Sequence, residues 1–106
     1  MRRRAPVARH DDDMLTAIVL IDTDAARIPE VAAAIAEIHG VTEVYSVTGE
    51  VDLIAMVRVR EHDELADVIA DKVSKVEGVL RTQTYIAFRT YSEHDLDKAF
   101  ALGLED

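Results

Sequence analysis

The chain predicts a single domain of the α+β class, with four strands and two helices in the order β-α-β-β-α-β. Three observations carry this. Two segments repeat apolar residues at spacings of three and four, four are short runs rich in β-branched residues, and these alternate in that order along 106 residues. A chain of that length builds one hydrophobic core and not two.

Each element has its own signature. Met14 to Ile21 is an apolar run with β-branched Ile18, Val19 and Ile21, closed by Asp22-Thr23-Asp24, and its length favours a strand over a helix. Ile28, Val31, Ile35 and Ile38 then recur at helical spacing among Ala32, Ala33, Ala34 and Ala36, with Pro29 suited to a first turn and Gly40 to a C-terminal cap. Val41 to Val47 and Val51 to Val59 read as a hairpin around the turn residues Thr48-Gly49-Glu50. Leu65, Val68, Ile69, Val73 and Val76 mark a second amphipathic helix, with His62 and Asp63 as candidate caps and Gly78 as its end. Val79 to Phe88 is the fourth strand, with Leu80, Thr82, Thr84, Ile86 and Phe88 on one face. Ser92-Glu93-His94-Asp95 reads as a capping box before a short terminal helix ending near Gly103. The expected organisation is a disordered tail over 1–13, a folded domain over 14–91, and a short C-terminal helix and tail over 92–106.

Right-handed crossovers place both helices on one face of a four-stranded antiparallel sheet, which is the ferredoxin-like βαββαβ plan. The first and third strands are apolar on both faces, however. Leu15, Val19 and Ile21 oppose Ile18 and Leu20; Leu53, Val57 and Val59 oppose Ile54 and Met56. An uncovered apolar sheet face is poorly tolerated by a soluble monomer, so the sequence predicts a homodimer burying sheet against sheet, a dimeric α+β barrel.

Composition narrows the function. The formal charge is −9, and residues 1–13, with four Arg and three Asp, hold +1 of it, so the remainder carries −10. Such a surface repels phosphate backbones, and no direct nucleic-acid partner is expected. The absence of cysteine excludes disulfides and thiolate metal sites. His10, His39, His62 and His94 are scattered without metal-ligand spacing, and no nucleophile elbow or phosphate-cradling glycine cluster occurs. No run reaches the length of a membrane span, and a cytoplasmic protein is expected, without cofactor or metal and without enzymatic activity. The aromatic residues Tyr45 and Tyr85, read as lying on neighbouring strands, are assigned to core or interface packing.

One polar group is harder to explain as packing. Thr48, Gly49 and Glu50 form the hairpin turn, Asp52 follows, and Thr82 and Thr84 share a face of the fourth strand. Backbone N–H groups near a glycine can approach an anion, and a carboxylate can pair an ammonium group, so these are the parts of a zwitterion receptor. An ordinary tight turn, beside threonines chosen for β propensity, accounts for the same residues.

The stretch Tyr45-Ser46-Val47-Thr48-Gly49-Glu50-Val51-Asp52-Leu53-Ile54, followed by Gly78-Val79-Leu80-Arg81-Thr82-Gln83-Thr84, resembles the paired signatures of the effector-binding domain of Lrp/AsnC transcriptional regulators, also called the RAM domain. The resemblance covers about Met14 to Arg89. It implies a ferredoxin-like fold that dimerises through its sheets, assembles into octamer-like rings, and binds amino-acid effectors between dimers. The matching positions are Thr48, Gly49, Glu50, Asp52, Thr82 and Thr84. On this resemblance the backbone around Gly49 takes the ligand carboxylate, Asp52 its ammonium group, and the threonines orient it. The thirteen residues before the first strand are too few for a helix-turn-helix, so the resemblance is to the stand-alone form, which would act on transcription by co-assembly with full-length, DNA-binding relatives. Val51 stands where members often carry an aromatic residue. A cofactor-free dimeric α+β barrel enzyme, such as a monooxygenase or isomerase, and an ACT-like regulatory module share the element order and are the alternatives.

Overall fold

The computed structural model describes residues 14–92. The expected N-terminal tail and the terminal helix after Ser92 lie outside them. Strand β1 (Leu15–Thr23) leads through one 3-10 turn into helix α1 (Ile28–Ala36). Strands β2 (Val41–Ser46) and β3 (Leu53–Val59) follow, then helix α2 (His62–Ala66) with its continuation, and β4 (Val79–Ile86). The sheet is antiparallel in the order β2-β3-β1-β4, the ferredoxin-like arrangement.

Alternation along the two central strands builds the core. Ala17, Val19 and Ile21 of β1 and Leu53, Ala55 and Val57 of β3 are fully buried against Val31 and Ile35 of α1 and Leu65, Val68 and Val73 beyond β3. Removing this apolar surface from water is the main force holding the layers together. Pro29 sits in the first turn of α1, but the helix stops at Ala36. Gly40, at φ +101°, belongs to the turn after it and lies against Val68 and Val59.

Four further boundaries differ from the sequence reading. β1 runs on to Thr23, because Asp22 and Thr23 still pair with β4. The hairpin strands stop at Ser46 and resume at Leu53, leaving a longer loop than a tight turn on Thr48-Gly49-Glu50. The second helix is not one regular α-helix: after Ala66 it widens into a π turn over Asp67–Lys72 and tightens into a 3-10 turn over Val73–Lys75. Its N-cap is Glu61, not His62 or Asp63, in a capping box with Glu64, whose Oε1 accepts the N–H groups of Glu61 (3.1 Å) and Arg60 (2.9 Å). Fourth, β4 ends at Ile86, and a register shift opposite Asp22/Thr23 takes Leu80 out of the ladder.

The sheet face away from the helices is ordered in rows. Tyr45, Ile54, Leu20 and Gln83 pair across all four strands, and Glu43, Met56, Ile18 and Tyr85 form the next row. Ile18, Leu20, Ile54 and Met56 are half-buried at its centre. Tyr45 and Tyr85 therefore lie on opposite edge strands of this face, not on neighbouring strands and not in the core. Tyr45 donates its hydroxyl to Glu43 Oε1 at 2.8 Å, and that hydrogen bond raises its pKa above the ordinary phenol value. Gln83 Nε2 donates to the Tyr85 hydroxyl at 2.9 Å.

Candidate functional site

The end of the sheet where β2 gives way to β3 carries the candidate residues. The β2–β3 loop is closed at its base by Val47 N–H donating to the Asp52 carbonyl at 3.1 Å. Thr48, Gly49 and Glu50 project from it, exposed, as befits a polar segment with no apolar anchor. Gly49 has φ +145°, in the region that favours glycine, and a Cβ built on it meets nothing within 4 Å. The backbone here is open to approach from outside.

Asp52 is placed differently from its three neighbours. It is half-buried, its N–H donates to the Ile21 carbonyl at 3.0 Å, and its Oδ2 accepts the N–H of Thr23 at 2.9 Å. The carboxylate therefore fastens the loop to the end of β1. Oδ1 makes no hydrogen bond to another described residue.

Thr82 and Thr84 pair with Ile21 and Val19, so both hydroxyl-bearing side chains lie on the helix side of the sheet. They are half-buried, since β4 is an edge strand. Among the described residues neither hydroxyl has a hydrogen-bonding partner. Among the described residues the buried side-chain polar atom without a partner is Arg27 Nε, so both threonine hydroxyls are open to water or to a ligand.

The fold thus brings the two segments to one end of the sheet but not into contact by pairing. Leu53 and Thr82 flank Ile21 from opposite sides, about 10 Å apart by strand spacing. One chain supplies two walls with β1 between them.

Sequence reasoning missed Thr23 and Asp24, which join those walls. Thr23 is the buried polar residue of the core, 5% exposed, and Asp24 N–H donates to the Gly78 carbonyl at 2.9 Å. The Asp22-Thr23-Asp24 run reads as the close of a strand, and nothing local distinguishes that from a structural corner.

Among the described residues no cluster of three or more His, Cys, Asp and Glu could hold a metal, and no helix is long and apolar enough to cross a membrane. The chain is similar to transcriptional regulators. Residues 16–97 match the family model of the Lrp/AsnC ligand binding domain. An HTH-type transcriptional regulator of Pyrococcus horikoshii is 41% identical over 81 residues, covering 74% of this chain and 54% of its own. The chain spans about half the length of the curated relatives it matches. The crystal structure of a Thermus thermophilus protein is similar at 47% identity with a TM-score of 0.70, covering 74% of this chain and 99% of the other. The feast or famine regulatory protein of M. tuberculosis, solved in complex with L-methionine, is 28% identical with a TM-score of 0.65, covering 84% of this chain and 63% of its own.

Proposed function

The chain belongs to the family of the Lrp/AsnC ligand-binding domain, and from that premise we propose that it binds a free amino acid at this end of the sheet, as a homo-oligomer. The observation that carries the reading is that Thr82 and Thr84, whose hydroxyls have no hydrogen-bonding partner among the described residues, stand at the same sheet end as the open backbone of Gly49. N–H groups flanking Gly49 take the ligand carboxylate, Asp52 Oδ1 takes the ammonium group, Thr82 and Thr84 orient it, and Thr48 and Glu50 complete the rim. The methionine complex of the M. tuberculosis relative supports this ligand class.

The walls stand on two sides of β1, so a second copy supplies the rest of the enclosure. The apolar rows of Ile18, Leu20, Ile54 and Met56 support a homodimer packed sheet to sheet, and ligand sites between dimers make an octamer-like ring the expected assembly. A ligand held between subunits shifts assembly by its differential affinity for the assembled form. In this reading the domain acts on transcription through full-length, DNA-binding relatives with which it co-assembles. The similarity to transcriptional regulators supports a non-enzymatic role.

A thermal-shift screen against the twenty amino acids tests the ligand class, because a ligand of the native state raises Tm with concentration. At least one amino acid is expected to do so, and a flat response to all twenty overturns the reading. With the best ligand, Asp52→Ala weakens calorimetric affinity by about tenfold or more, the loss of a charge-assisted hydrogen bond. Unchanged affinity removes Asp52 from the site. Native mass spectrometry of the chain mixed with a full-length relative of its own organism should show mixed oligomers.

A further inference from the structure

The two walls of the proposed site hang on one corner of the backbone. Thr23 N–H donates to Asp52 Oδ2 at 2.9 Å, which ties β1 to the loop that carries Gly49. The next residue, Asp24, donates its N–H to the Gly78 carbonyl at 2.9 Å, which ties the same corner to the start of β4 and so to Thr82 and Thr84. The ladder shifts register between Asp22 and Thr23, so regular pairing ends where these two bonds begin. Thr23 is 5% exposed and its bond to Asp52 is partly buried, so a carboxylate that leaves takes away an acceptor the fold supplies at that point.

We infer that Asp52 is a positioning residue: its Oδ2, through the Thr23–Asp24 corner, locks the 47–52 loop and the start of β4 into one unit and so sets the spacing of the two walls. The role requires an acceptor at the Oδ2 position and does not require a charge. It rests on the effector reading above only for its purpose, since the lock itself exists without ligand.

That distinction yields a test in the free protein. Asp52→Asn keeps an acceptor oxygen in place without the charge; Asp52→Glu keeps the charge but moves the acceptor by one methylene. Amide hydrogen exchange, read by NMR, should leave the Asp24 and Val47 N–H groups of Asp52→Asn within about threefold of wild type. In Asp52→Glu both should exchange at least about tenfold faster, as local opening follows the loss of this partly buried hydrogen bond. Asp24 is the informative site, because its own acceptor, the Gly78 carbonyl, is untouched in both variants. Any other pattern overturns the lock: protection kept in both, lost in both, or kept by Glu and lost by Asn. Calorimetry on Asp52→Asn separates this from the effector reading, since that variant should retain the lock while losing the ammonium partner. A chain that binds no amino acid can still show the lock, and one without the lock can still bind.

Discussion

Gly78 shows how one residue decides both backbone and packing. Its φ of +102° lies where side chains are rarely accommodated, and an added Cβ would stand 2.5 Å from Val31 Cγ2 of α1. Gly78→Ala therefore meets two penalties together and should destabilise the protein by about 2 to 3 kcal/mol. In a thermal melt of a domain this size, that lowers Tm by roughly 10 °C or more. Gly49 separates the two penalties, because it shares the unusual φ but has open space around it. Gly49→Ala should cost only about 1 kcal/mol, from the backbone alone. Both glycines stand out in the sequence as turn residues. Which one is packed against a helix does not, because the contact with Val31 joins positions far apart in the chain.

At the scale of elements, the segment after β3 is the instructive one. Periodicity predicts a helix through Leu65, Val68, Val73 and Val76, and a helical segment is there. Its interior differs. Val68 and Val73 are both buried, and five residues of a regular α-helix rotate through about 500°, which would point them about 140° apart. The turn widens instead, and the Val73 N–H is shared between the carbonyls of Ile69 and, one residue further back, Val68, so that both side chains face the core. Burial outweighs regular geometry here. Because α2 proper is only five residues long, its start depends on Glu64, which accepts two N–H groups. Glu64→Ala should cost about 1 kcal/mol, within the range for a lost cap, read as a lower denaturant midpoint with an unchanged slope. His62 and Asp63 are reasonable cap candidates by residue type, but capping is set by which side chain the local backbone aims at the free N–H groups.

The whole molecule has a covered and an uncovered sheet face, and assembly belongs to this scale. Ile54 sits at the centre of the uncovered rows, half-exposed in a single chain. Ile54→Lys should leave the fold of one chain intact while placing a charge at the proposed sheet-to-sheet interface. Light scattering should then report a mass reduced at least to half that of the wild-type assembly. An unchanged mass would show that the chains associate elsewhere. The lost assembly should also weaken amino-acid binding if the ligand site is shared between subunits.

Periodicity and residue type determined the order of the elements and the two-residue alternation that divides β1 and β3 into two apolar faces. Those are local properties, written in spacings of two, three and four residues. Which of the two faces is the core was decided by the packing of the helices. Tertiary structure alone decided that Tyr45 and Tyr85 stand on opposite edges of the sheet, that Thr82 and Thr84 lie on its helix side, and that Asp52 is fastened to Thr23. Each depends on strand order or register. Those are fixed by long-range pairing and core packing, of which a linear pattern carries no direct record.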